Sequence, residues 1–176
     1  LDDATWLNVG ARVDLTTTDV TDDPAKLQEL GTRFPQHSLA EILGTDQFEQ
    51  NFGTWALYGS LRHELNDNLA VVASAGHAER PPSSTELYAA ETFLFLLGNG
   101  MNIAVGDPLL HAEQSWQIDL GLEANYSRMR MGINGFHAWL PDYITFENLG
   151  VAPSPYAPMQ VALKYVNTEL AVIRGF

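Results

Sequence analysis

Residues 115–126, SWQIDLGLEANY, alternate without a break. Trp116, Ile118, Leu120, Leu122, Ala124 and Tyr126 fall on one face; Ser115, Gln117, Asp119, Gly121, Glu123 and Asn125 fall on the other. A period of two describes a strand whose faces meet different surroundings. In LNVGARVDL, Leu7, Val9, Ala11, Val13 and Leu15 oppose Asn8, Gly10, Arg12 and Asp14. TWALYGSLRHEL sets Trp55, Leu57, Gly59 and Leu61 against Ala56, Tyr58, Ser60 and Arg62. NLAVVASAGHAER reads as a strand with small residues on both faces. RMRMGINGFHAWLPDYITF begins with Met129, Met131 and Ile133 on one face and loses its period near Gly135, and YVNTELAVIRGF is a sixth candidate. Strands are expected near 5–16, 54–65, 68–80, 114–126, 129–146 and 164–176.

Two connections are tight and polar, Asn66-Asp67-Asn68 and Ser127-Arg128, as hairpins require. The others are long, near 17–53, 81–114 and 147–164. The first holds two short helical signals: Asp23-Pro24 before AKLQEL, and Ser38 before LAEILG. Antiparallel strands joined alternately by tight turns and long loops describe a transmembrane β-barrel. Ten steps of about 3.3 Å from Trp116 to Tyr126, tilted by about 40°, cover the roughly 25 Å lipid-facing band of such a wall. Trp116, Ile118, Leu120 and Leu122 are then expected on the lipid side, and Asp119 and Glu123 on the lumenal side. A carboxylate in hydrocarbon is expensive enough to fix that choice. Alternation alone also suits a half-buried strand of a soluble sandwich.

The chain has 176 residues, with 9 Lys and Arg against 22 Asp and Glu, a formal charge of −13. That charge argues against a nucleic-acid partner. Without cysteine there is no disulfide framework and no thiolate metal site. The longest apolar run, FLFLL at 93–97, is far shorter than the roughly 18 residues of a membrane helix. The chain opens at Leu1 and stops at AVIRGF, in what reads as a strand, so a piece of a longer, processed protein is expected. Six strands are too few to enclose a large lumen, so 5–16 and 164–176 are expected to be unpaired edges. Arg174 shares a face with Phe176 and fits poorly in an apolar terminal stripe.

The long connections carry recognisable text. GHAERPPSSTELYA followed by GDPLLHAEQSWQIDLGLEANY resembles the TonB-dependent outer-membrane receptors. The family's Arg-x-Pro-Ser and Glu-Leu-Tyr segments match Arg80, Pro81, Pro82 and Ser83, then Glu86, Leu87 and Tyr88. Its Gly-Asn-Pro-x-Leu-x-x-Glu segment matches Gly106, Asp107, Pro108, Leu109 or Leu110, and Glu113. DYITFENLG and YVNTELAVIRG are similar to the next pair of strands, with Asn167 and Gly175 matching, and Gly10, Arg12 and Asp14 fit an earlier Gly-x-Arg-x-Asp strand. Asp107 stands where Asn is usual. The resemblance implies an all-β antiparallel meander, part of a large transmembrane β-barrel in the cell outer membrane. It implies import of a scarce nutrient, a small molecule or metal chelate such as a siderophore, with outer-membrane lipid around the wall. TonB would act through a missing N-terminal plug. No enzyme activity and no cofactor are expected.

For ligand contact the candidates are Arg80, Tyr88, His111 and Tyr156, with Arg12, Phe93 and Phe95 behind them. An Arg at the extracellular end of a strand suits an anionic chelate, and loop aromatics suit a planar one. The plainer reading pairs the arginines with lumenal carboxylates such as Asp119 or Glu123 and packs the aromatics loop against loop. Pro81, Pro82, Glu86, Asp107, Pro108 and Glu113 are expected to shape the loop, since proline cannot donate to a ladder and Asp-Pro initiates turns. His37, His63, His77, His111 and His137 show no metal-motif spacing, although His77, His111 and Met101 are a conceivable borderline site. Ser115, His137 and Asn134 keep a barrel hydrolase in view. A small complete barrel acting as adhesin or anchor and a carbohydrate-binding sandwich are further alternatives. The 81–114 and 147–164 loops are expected to meet above the lumen.

Overall fold

A computed structural model describes residues 4–20, 39–90, 92–96, 100–152 and 160–176. In chain order these residues form β1 (Thr5–Thr18), α1 (Leu39–Leu43), β2 (Gln50–Asn66), β3 (Leu69–Arg80), α2 (Ser84–Tyr88), β4 (Thr92–Leu96) and β5 (Gly100–Val105). There follow β6 (Glu113–Tyr126), β7 (Met129–Pro141), β8 (Ile144–Ala152), β9 (Gln160–Asn167) and β10 (Leu170–Gly175). A six-stranded antiparallel sheet has the order β1-β2-β3-β6-β7-β10. Its outer strands β1 and β10 do not pair with each other, as expected of edges.

Register makes the alternation a property of the whole sheet. Leu57, His77, Trp116, Trp139 and Val172 stand side by side, as do Leu7, Leu61, Ala73 and Leu120. This face is apolar and open: Trp116, Ile118, Leu120 and Leu122 are 47%, 46%, 64% and 43% exposed. Near its loop end the His77 ring lies between Trp55 and Trp116, with centroids 4.0 and 4.1 Å away. The opposite face is polar. There Ser74 Oγ donates to Asp119 at 3.2 Å, Gln117 Nε2 donates to the same carboxylate at 3.0 Å, and Arg62 is paired with Glu123. Asp119 and Glu123 therefore lie on the face away from the apolar wall, as the alternation required.

Two aromatic side chains on the polar face lie flat over glycines. A Cβ on Gly10 would stand 2.3 Å from the Tyr58 ring, and one on Gly175 would stand 2.7 Å from Phe136. The neighbouring strand thus gives each ring a shallow seat.

The structure corrects the expected elements in four places. The run 129–146 is not one strand: β7 ends at Pro141, Asp142 turns the chain with φ of 53°, and β8 leaves for another sheet. Likewise 164–176 divides into β9 and β10 around Thr168 and Glu169. The connections near 81–114 and 147–164 are not loops throughout. They contribute a second sheet of order β4-β5-β9-β8, in which β5 and β9 run parallel. The two loops do meet, by backbone pairing of Asn102–Val105 with Val161–Lys164. The loop near 17–53 is shorter than expected, because β1 reaches Thr18 and β2 begins at Gln50. The AKLQEL helix signal, His37 and the Ser38 cap lie outside the described residues; LAEIL is helical as α1.

The sidedness of the wall gives a direct test. In a bilayer, Leu120→Arg is expected to lower unfolding stability by about 2–4 kcal/mol, the cost of a cation near mid-depth. Gln117→Ala, on the other face, should cost well under half of that. Guanidinium unfolding in liposomes followed by tryptophan fluorescence measures both; equal losses would mean that the two faces see the same medium.

Candidate functional site

The residues singled out in the loops converge on the rim where the wall gives way to the second sheet. Pro81 and Pro82 end β3, since neither can donate to the ladder, and Pro82 is buried. Ser83 then caps α2 reciprocally: its N–H donates to Glu86 Oε2 at 2.6 Å, and its hydroxyl accepts from Glu86 N–H at 3.3 Å. The same Glu86 carboxylate takes a forked pair from Arg80, at 2.8 and 3.2 Å. Arg80 also donates to Glu113 Oε2 at 3.2 Å, and that oxygen accepts the Ile144 N–H at 3.0 Å. One guanidinium and two carboxylates thereby tie the end of β3, the start of α2, the start of β6 and the start of β8.

The two motif segments are halves of one unit. Gly106 N–H donates to Ala89 O at 2.7 Å and Asp107 N–H to Glu86 O at 2.9 Å, laying the Gly106-Asp107-Pro108 turn along the end of α2. A Cβ on Gly106 would stand 2.5 Å from Leu87 O and 2.7 Å from Ala89 N, both backbone atoms with nowhere to go. Asp107 shapes the turn through its carboxylate, which accepts Leu109 N–H at 2.9 Å, and it pairs with Lys164 of β9 at 2.8 Å. Pro108 and Leu87 are fully buried, and Leu87 packs with Leu110 and Ile144, bordered by Phe52, Tyr88 and Tyr165.

Asn167 completes the knot. Its Oδ1 accepts His111 N–H at 2.8 Å, and its amide donates to His111 O at 3.2 Å and to Asp142 O at 2.6 Å. The sequence marks Asn167 only as a motif match; this bridging role has no local signal, because its partners lie 56 and 25 positions away.

Of the ligand candidates, Arg80 sits in the knot, and Tyr88 donates its hydroxyl to Phe48 O and lies 2.9 Å from Thr18 Oγ1. His111 is held by its backbone and exposed, and Tyr156 lies outside the described residues. Arg12 forms an ion pair with Asp14 at 2.7 Å. Arg80 and Arg12 thus have carboxylate partners in Glu86, Glu113 and Asp14, while Glu123 is paired with Arg62. His77 is in the wall against Trp55 and Trp116, far along the chain from His111, and the described residues contain no group of three metal-type side chains able to hold an ion. The sequence did not point to an open acidic pocket of about 430 Å³ beside the β1 and β2 ends, lined by Asp19, Asp46, Phe48 and Glu49.

Burial works to raise the Glu86 pKa, but the Arg80 bond, the Ser83 N–H and hydroxyl, and the nearby Arg80 charge outweigh it and hold the carboxyl below its ordinary value. A folded value below the unfolded one contributes stability that is complete above the ordinary 4.5 and lost as pH falls through the lowered value.

The family model described as TonB dependent receptor-like, beta-barrel, matches residues 1–176. Among solved structures, the Copper transporter OprC superposes with a TM-score of 0.70 at 18% identity, over 99% of this chain and 23% of that one. The hemophore receptor HasR of Serratia marcescens, in complex with its hemophore HasA and heme, gives 0.56 at 15% identity, over 97% and 26%. The siderophore receptor PirA from Pseudomonas aeruginosa gives 0.51 at 18% identity, over 97% and 35%. The chain therefore spans about a quarter to a third of the structures that it matches. No curated protein sequence matches it.

Two measurements check the rim. Gly106→Ala is expected to cost about 1–3 kcal/mol through overpacking against the α2 backbone, read as a lower urea midpoint or faster protease cleavage near Leu109. Hydrogen exchange of Glu86 and Leu87 amides should accelerate as pH is lowered below 4.5, after correction for intrinsic rates, and Glu86→Gln should flatten that dependence.

Proposed function

The chain belongs to the TonB-dependent receptor-like β-barrel family, and from that premise we propose that it supplies part of the wall and two ligand-capturing loops of an outer-membrane importer. The cargo is a scarce nutrient carried as a metal chelate, a siderophore complex being the leading class. Energy comes from TonB through a part of the receptor other than these strands. Catalysis has no place in this reading.

The observation that carries the proposal is the β5–β9 pairing. Two connections separated in sequence form one sheet at the loop end of the wall, and the Arg80–Glu86–Glu113 knot and the Lys164–Asp107 pair anchor its base. A sheet shared between loops positions side chains better than two independent loops, which is what capture of a compact ligand needs. Arg80 and Tyr88 contribute by fixing the base; His111, which is exposed, is a candidate for direct contact, and so is Tyr156, which lies outside the described residues. The similar structures named above are a copper transporter, a siderophore receptor and a hemophore receptor in complex with heme, so the test below spans all three cargoes.

In the intact receptor, removing residues 92–104 or residues 150–162 is expected to weaken binding of its cognate probe by about tenfold or more, some 1.4 kcal/mol. The probes are a panel of ferric siderophores, haem and a copper(II) salt, measured by fluorescence quenching and isotope uptake. Unchanged affinity in both variants would remove these loops from capture. Uptake of none of the probes by the wild type would remove metal cargo.

A further inference from the structure

Tyr58 stands between two glycines. In the sheet register Gly10 of β1 and Gly76 of β3 are its direct neighbours, one on each side, and Gln117 of β6 follows in the same row. The row lies on the polar face, beside Asp119. The ring occupies the Gly10 side, where an added Cβ would run into its Cε1 and would stand 2.6 Å from Cζ and 2.8 Å from Oη. The Gly76 side is open. There an added Cβ would meet only the stem and backbone of β2: Tyr58 Cβ at 3.5 Å, Leu57 O at 3.6 Å and Tyr58 Cα at 3.9 Å. Because β2 is paired on both sides, both seats belong to the described sheet. Phe136 differs, since its neighbours are Gly175 on one side and Asp119 on the other.

The staggered positions about the Cα–Cβ bond of a strand residue do not all lean to one side, so one rotamer change carries the ring from Gly10 to Gly76. Strands about 4.8 Å apart put Gln117 about 10 Å from Tyr58 across the sheet, a gap that the two side chains span together. The Gln117 amide N–H group donates to Asp119 at 3.0 and 3.1 Å, which leaves its oxygen to accept the phenol O–H. The ring's position also decides the depth of a furrow. From the rim inward, the lumenal side of β3 runs Ala78, Gly76 and Ser74, with Ala56 and Ser115 level with Ala78. Over Gly10 the ring leaves that line clear; over Gly76 it fills it.

We infer that Tyr58 is a two-position gate on this furrow, open over Gly10 and closed over Gly76, for cargo moving along the lumenal wall. The gating role rests on the reading of the chain as part of an importer. The two seats rest on the register and on the space above each glycine.

The test uses the intact receptor labelled with 3-fluorotyrosine, the Tyr58 signal being the one that Tyr58→Phe removes. In the wild type, 19F NMR should show exchange with a second state populated at about 1–10%. Gly76→Ala fits the present arrangement but blocks the second seat, so it should abolish the exchange. Gly10→Ala displaces the ring and should make the second state the main one. Uptake of whichever probe of the panel above the wild type imports should then fall about tenfold in Gly10→Ala, as the open fraction falls. That loss should disappear when Tyr58→Ala is added, a rescue that mere damage to the sheet would not give. Should Gly10→Ala not insert, the wild type and Gly76→Ala decide. Absence of exchange in the wild type, or exchange that survives Gly76→Ala, overturns the inference. A ring that moves in Gly10→Ala without slowing uptake overturns the gate and leaves the importer reading intact. A wild type that imports no probe overturns the importer reading and the gating role with it, while the 19F signals still decide the two seats.

Discussion

A strand that crosses hydrocarbon has no water for its N–H and C=O groups, so every one of them must meet a neighbouring strand. That requirement fixes register, and register fixes which side chains share a face, because a slip of one residue would exchange the faces of a strand. In this chain the consequence reaches across six strands. The row Leu57, His77, Trp116, Trp139 and Val172 is one belt made by five strands, not five local preferences. Asp119 and Glu123 are thereby consigned to the other side, where Ser74, Gln117 and Arg62 meet them.

The rim relaxes this rule in an ordered way. Beyond Arg80 and Pro141 the chain leaves the wall, and the released backbone needs new partners. Side chains supply several of them. Glu86 takes the Ser83 N–H, Glu113 takes that of Ile144, Asp107 that of Leu109 and Asn167 that of His111. The β4-β5-β9-β8 sheet and backbone bonds such as Gly106 N–H to Ala89 O and Thr168 N–H to Tyr143 O provide others. Gly106 belongs to the same economy of space, since the turn can bond to α2 only if nothing projects between the two backbones. The rim is where one hydrogen-bonding system hands over to another, and acidic side chains and one asparagine make the joint.

This division also explains what was legible in the sequence. The wall was readable because its period is strict and its turns are short, so local pattern and tertiary structure agree. Strand ends at 141 and 167 were not, although Pro141-Asp142 is a visible interruption. An apolar continuation, YITF, follows at once and reads as more of the same strand. The segment FLFLLGNGMNIAV read as an apolar loop because short apolar runs do not declare a partner, and the parallel mate of β5 lies about 60 positions away. Motif text singled out Arg80, Glu86 and Glu113, which stand at the end of β3, in α2 and at the start of β6, but their convergence on shared oxygens is a fact of three dimensions. For Arg12 and Arg80 the expected carboxylate partners are present, as Asp14, Glu86 and Glu113 in place of the examples Asp119 and Glu123.

The lumenal face shows how such a wall accommodates bulk. Tyr58 and Phe136 sit on the polar side among Gln117, Asp119 and small residues, positions from which an aromatic ring would ordinarily project. Each instead lies along the sheet over a glycine of the adjacent strand, Gly10 or Gly175. A glycine within a strand weakens it by losing side-chain contact and backbone order. Here the ring replaces the missing contact, and the surface stays shallow. Both glycines lie in segments that resemble the family's text, the Gly-x-Arg-x-Asp strand and the final RGF. Their requirement is not a positive φ or a tight turn, because both stand in regular ladder positions. It is the thickness of one aromatic ring laid against the backbone, and it keeps the volume beside the polar face open for whatever occupies it.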